Sequence, residues 1–119
     1  MFALAFAPGG SVLASGGCDN KIRLWDVATG KPLGILLGHT HSVVALAFAP
    51  DGRTLASGDE RGVVKLWDVA AGRLLTTLSG HAGKVKCLAY SADGTLLASG
   101  AHDRTVRLWE VARYRPMRP

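Results

Sequence analysis

Apolar residues in this chain come in short runs that turn residues interrupt at regular intervals. Residues 42–48, SVVALAF, form an apolar run closed by APDGR, where Pro50, Asp51 and Gly52 supply a tight turn. TLASG (54–58) follows as a short strand, DERG as a turn, and VVKLWDV (63–69) as a third strand rich in β-branched and aromatic residues. After AAGR, LLTTLSG (74–80) makes a fourth. The first and third runs are apolar at nearly every position, the pattern of strands whose sheet is covered on both faces. No segment sustains a helical period. The expectation is an all-β chain built from four-stranded meanders.

The pattern repeats. Trp25, Trp67 and Trp109 lie 42 residues apart, as do Ser15, Ser57 and Ser99, and Gly10, Gly52 and Gly94. Phe6, Phe48 and Tyr90 keep the same spacing, and so do the pairs Gly38-His39 and Gly80-His81. A fixed period of this length means a repeat architecture, in which each unit buries its faces against its neighbours.

Composition narrows the class. With 48% hydrophobic and 19% charged residues among 119, the chain is suited to a packed core rather than to disorder. The net charge of +5 raises the prior for nucleic acid or an acidic partner. However, Arg23, Lys65 and Arg107 each precede a Trp by two residues and so come with the repeat, while Arg113, Arg115 and Arg118 sit in a basic tail. Cys18 and Cys87 fall at different places in their units, which supports neither a disulfide framework nor a zinc site. The opening MFALAFAPGG lacks a basic leader, and ALAFAP recurs at 45–50, so it reads as a repeat strand rather than a targeting segment. No apolar stretch approaches the ~18 residues of a membrane span. The expected location is cytoplasmic.

Gly38-His39, Phe48, Pro50-Asp51-Gly52, Ser57-Gly58 and Leu66-Trp67-Asp68 appear in this order in the middle copy, and the two outer copies repeat most of it in phase. In this the chain resembles the WD-repeat family of β-propellers, over residues 1 to about 111, and its phrasing is similar to bacterial multi-repeat WD proteins. The resemblance implies a single WD-repeat region over 1–119, with blade units at about 1–37, 43–79 and 85–111 and a tail at 112–119. The last blade is expected to lack its outer strand, because Pro116 and Pro119 make the tail a poor one. Three blades make an open arc or part of a larger ring. We read the chain as a fragment of a longer propeller in preference to a subunit that closes a ring with copies of itself.

In that family a buried hydrogen-bond chain runs Trp–Ser–His–Asp within each blade. Carried over by position, the third copy is complete, with His81, Ser99, Asp103 and Trp109. The first has Ser15, Asp19 and Trp25, and its His would precede Met1. The second has His39, Ser57 and Trp67, but Arg61 where the others have an acid. The middle blade is therefore expected to be the weakest, with His39 supported by water or by Asp59, and Arg61→Asp is expected to stabilise the chain by about 1 kcal/mol.

A hydrolase reading of the same Ser, His and Asp is set aside. One set recurs per unit, as a folding device does, and no G-x-S-x-G elbow surrounds the serines. His39 and His41 do not make a metal site, and the GK pairs at 30–31 and 83–84 lack the Ser or Thr of a phosphate loop. No catalytic residue, metal or cofactor is expected.

The resemblance also implies where partners dock: residues flanking the start of each innermost strand and the residue before each structural acid. These are Phe2, Ser42, Val44, Lys84 and Lys86, with Cys18, Glu60 and His102. The expected function is a non-catalytic scaffold for protein partners. The alternative is an RNA-processing or chromatin-associated platform contacting nucleic acid or acidic partners, and it rests on the charge alone.

Overall fold

The computed structural model describes residues 3–111 and the backbone of 115–116. Three antiparallel four-stranded sheets follow one another along the chain. The first holds β1 (Ala3–Phe6), β2 (Val12–Gly16), β3 (Ile22–Asp26) and β4 (Pro32–Leu36). The second holds β5 (Val43–Phe48), β6 (Thr54–Asp59), β7 (Val64–Asp68) and β8 (Arg73–Leu78). The third holds β9 (Val85–Tyr90), β10 (Leu96–Ala101), β11 (Val106–Glu110) and β12 (Arg115–Pro116). Within each sheet the spatial order is the chain order, so every sheet is a simple meander and forms one propeller blade. The innermost strands β1, β5 and β9 lie side by side, which stacks the blades around a common edge.

The third blade differs from its expectation. β12 pairs with β11 through Trp109↔Pro116 and Glu110↔Arg115, so a two-residue outer strand exists where none was anticipated. Proline is tolerated there because the strand is at the sheet edge, where a missing N–H breaks no inner ladder. The first blade uses the same device, with Pro32 opposite Trp25.

The core lies between blades. Ala14, Ile22, Leu24 and Leu36 of the first blade pack on Val43, Leu55 and Trp67 of the second. Ala45, Ala56, Val64, Leu66 and Leu78 of the second pack on Val85, Leu97 and Trp109 of the third. Continuously apolar strands are therefore explained by sheets covered on both sides. The two end faces are not covered. Val106 and Leu108 are 73% and 46% exposed, whereas their equivalents Val64 and Leu66 are fully buried. At the other end Leu4 and Phe6 are 64% and 63% exposed, although Leu46 and Phe48, their equivalents, pack on a core.

Blade contact sets one glycine in each of the first two units. A Cβ on Gly16 would meet Val43 Cγ1 at 2.6 Å, and a Cβ on Gly58 would meet Val85 Cγ1 at 2.5 Å. The glycine of the Ser-Gly pair is thus where the next blade's first strand approaches the second strand most closely. Gly58→Ala should destabilise the chain by about 2 kcal/mol through overpacking. Urea unfolding should also show a smaller cost for the same change in a Val85→Ala background, the signature of two groups competing for one space.

Candidate functional site

The middle blade holds an unbroken polar chain. Trp67 Nε1 donates to Ser57 Oγ at 2.8 Å, and the Ser57 hydroxyl reaches His39 Nε2 at 2.6 Å. His39 Nδ1 then donates to Asp59 Oδ2 at 2.9 Å. A neutral imidazole carrying its proton on Nδ1 satisfies every link. His39 arrives on the loop that joins β4 to β5, so this chain also ties the second blade to the connection from the first. Desolvation holds the His39 pKa below its ordinary value, although Asp59 pulls the other way.

The Asp59 carboxylate has a second duty. Its Oδ1 accepts the backbone N–H groups of Arg61 at 2.8 Å and Val63 at 3.1 Å, which folds the turn from β6 to β7 around the acid. Gly62 completes that turn at φ +86°, and a Cβ there would lie 2.6 Å from the His81 carbonyl oxygen. Asn20 and Arg104 take the same left-handed conformation in the other two copies, at φ 68° and 67°.

In the third blade Trp109 Nε1 donates to Ser99 Oγ at 2.9 Å, and Ser99 meets His81 Nε2 at 2.7 Å. His81 Nδ1 is shared between Thr105 Oγ1 at 3.1 Å and Asp103 Oδ2 at 3.3 Å. Asp103 also accepts the Thr105 hydroxyl at 2.6 Å and the Ala82 N–H at 2.9 Å. These donors, the Thr105 hydroxyl first, hold its pKa well below the usual carboxylate range. In the first blade Trp25 Nε1 donates to Ser15 Oγ at 2.9 Å, but Asp19 pairs with Arg23 at 2.6 Å. That bond and the Lys21 N–H lower the Asp19 pKa.

The residues expected to meet partners gather along one rim. Glu60 N donates to the Ser42 carbonyl at 3.1 Å, and His102 N donates to the Lys84 carbonyl at 2.8 Å. Each turn is thereby pinned to the start of its blade's innermost strand. Val44 falls in a bulge between Val43 and Ala45, and Lys86 is skipped in the same way between Val85 and Cys87. A bulge releases its residue from the ladder and bends the strand end. Cys18, Glu60, Lys86 and His102 are exposed, and Ser42, Val44 and Lys84 are half-buried. Phe2 lies outside the described residues, as does most of the tail. Neither cysteine is in a disulfide.

Comparison with known proteins identifies this arrangement. The family model for the WD domain, G-beta repeat, matches residues 1–26, 30–68 and 72–110. The chain belongs to the WD-repeat family. Its match to a crystal structure of RRP9 WD40 repeats has a TM-score of 0.93 at 31% identity, covering 98% of this chain and 37% of that one. It is also 56% identical over 43 residues to a probable serine/threonine-protein kinase, PkwA, of Thermomonospora curvata; that stretch is 36% of this chain and 6% of the relative. The chain thus spans little more than a third of the similar structure and a small part of the curated relative.

One expectation for the WD-repeat network is corrected. The middle blade is not missing its acid: Asp59 supplies it from two residues before Arg61, and its carboxylate is 2% exposed against 14% for Asp103 and 46% for Asp19. By position in the repeat the acid is expected within the turn, with Asp59 as one of two alternative supports for His39; Asp59, the last residue of β6, is the support the structure shows. The readable signal was an Asp where the other copies have Gly17 and Ala101. Thr105 and the Ala82 N–H were not anticipated.

Asp59→Ala should therefore cost about 2 kcal/mol, since it strands several donors at once, whereas Arg61→Asp should give no gain. Urea midpoints of the two variants check this against the earlier expectation of about 1 kcal/mol for Arg61→Asp. His39 sets a pH dependence. Its folded pKa lies below its unfolded value of about 6.5, so its contribution is fully present above that pH. It is lost progressively as the pH falls below that value, because the unfolded chain takes up the proton more readily. Stability measured from pH about 7.5 to about 5 should fall more steeply for the native chain than for His39→Gln.

Proposed function

We propose that this chain is a non-catalytic scaffold that docks a protein partner on the rim formed by Ser42, Val44, Glu60, Lys84, Lys86 and His102, together with Cys18; Phe2, outside the described residues, is kept in the set from its place in the repeat alone. The reading is carried by the two backbone bonds that pin Glu60 to Ser42 and His102 to Lys84. They hold side chains that differ from copy to copy on a frame that does not. The first blade's end face and the third blade's end face are apolar, which supports a role inside a larger propeller whose further blades cover them. The location proposed is cytoplasmic. Lys84 and Lys86 favour an acidic partner, and on that ground a second reading, contact with nucleic acid, is retained.

Reversing the rim charges (Glu60→Lys with Lys84→Glu and Lys86→Glu) should abolish capture of the specific partner while the circular dichroism spectrum stays unchanged. A variant that keeps every partner overturns the rim as the docking site. Titration with RNA and duplex DNA separates the second reading: phosphate-driven binding must weaken steeply as salt rises.

A further inference from the structure

The second and third blades leave a cavity of about 230 Å³ between them. It lies at the end of the sheets opposite the docking rim, because consecutive turns of a meander fall at opposite ends. The turns from β5 to β6 and from β9 to β10 enclose it, with Val111 just beyond β11. Ala49, Pro50 and Val111 give it an apolar wall, and Asp51 and Asp93 bring one carboxylate to it from each blade. The two turns pack on each other: a Cβ on Gly94 would lie 3.4 Å from Pro50 Cδ. The Val111 N–H donates to the Thr95 carbonyl at 3.0 Å, which fixes the third side.

Each acid folds its own turn with one oxygen. Asp51 Oδ1 accepts the Arg53 N–H at 2.9 Å. Asp93 Oδ1 accepts the Ser91 hydroxyl at 2.7 Å, the Thr95 hydroxyl at 2.8 Å and the Thr95 N–H at 3.1 Å. These donors, the Ser91 hydroxyl first, hold the Asp93 pKa below its ordinary value, so it is a carboxylate at neutral pH. Among the described residues the Oδ2 atoms of both acids are left to a ligand. The repeat itself does not require this pair. At the corresponding place between the first and second blades, Gly9 stands for Asp51, Val12 for Thr54 and Phe48 for Tyr90. Of the two junctions, this one alone has an acid on both turns.

We propose that this cavity takes the side chain of a basic residue, arginine or lysine, from a protein partner, at a second contact site remote from the rim. Its volume is below the several hundred Å³ of a small-molecule site and suits one long side chain. The apolar wall covers the methylene stem, and the cationic head meets the two Oδ2 atoms. The cavity gives the depth, and the carboxylates select the charge. Two carboxylates repel phosphate, so nucleic acid is not the occupant. A metal ion would want more ligands than two acids, and no group of three His, Cys, Asp or Glu side chains gathers among the described residues. Arginine fits better than lysine, because its fixed fork of donors meets acids on two separate blades at once.

Titration of the full chain with N-acetyl-arginine amide tests the site by NMR. The backbone N–H signals of Asp51, Asp93 and Gly94 should shift, while those of Glu60 and His102 on the rim stay in place. The lysine amide should give the same pattern at higher concentration, and the neutral citrulline amide should give none. Asp51→Asn and Asp93→Asn keep the Oδ1 acceptor that folds each turn and remove the charge. Each should weaken binding about tenfold, the worth of one hydrogen bond to a charged group. Because the citrulline control leaves the protein untouched, a folding defect does not imitate the result. No shift with the arginine amide, or equal shifts with citrulline amide or calcium chloride, overturns the proposal. So does a shift that appears only in an Arg113→Ala chain, which would make this chain's own tail the occupant. The rim charge reversals should leave the shifts unchanged, so failure of the docking rim and failure of this site are told apart.

Discussion

A single buried hydroxyl holds each complete blade in register. Ser57 accepts the Trp67 indole proton and gives its own to His39, and so joins β6, β7 and the loop arriving from the preceding blade. In the dry space between two sheets none of these groups has water as an alternative, so loss of one member leaves the others stranded. The serine sits beside Gly58, where the next blade comes closest. The polar chain and the tightest apolar contact therefore occupy adjacent residues of one strand. The spacing of blades and the closure of the network are set together.

This coupling explains why the fold was so readable. A 42-residue period, four apolar runs per period and the Ser-Gly and Trp positions are enough to set strands, meander and blade order, because each is forced by burial on both faces. Individual partners were less readable. The middle blade's acid lies on Asp59 and not at position 61, yet it meets His39 Nδ1 as the turn-placed Asp103 meets His81 Nδ1 in the third blade. A carboxylate at the end of β6 reaches forward into the turn, while one inside the turn reaches back. Linear alignment counts residues and does not see that the two side chains converge. The short β12 was hidden for a related reason. Pro116 reads as a strand breaker by itself, yet Pro32 occupies the equivalent place in the first blade, and an outermost strand tolerates it.

The network and the rim divide the labour of the repeat. Ser, Trp and the Gly-His pair are spent on closure, and their side chains face inward. The turn that the acid folds is the same turn that carries Glu60 or His102 outward, and the backbone bonds from these residues to Ser42 and Lys84 fix where they stand. Substitution at the rim leaves the hydrogen-bond chain untouched, so a repeated scaffold varies its contact surface without altering its frame. Cys18, Glu60 and His102 are a thiol, a carboxylate and an imidazole at one structural position.

Among the described residues the first blade brings together only part of the network. Trp25 and Ser15 keep their bond, so the inner half of the chain forms without a histidine. Asp19 does not wait unpaired: it is drawn to Arg23 across four residues and remains half exposed. The acids differ in exposure, from the solvated Asp19 through Asp103 to Asp59, which lies on the last residue of β6 and is enclosed. In the two complete blades the arriving loop encloses the acid by bringing an imidazole to bond it and a glycine that passes close to that blade's own Trp67 or Arg107.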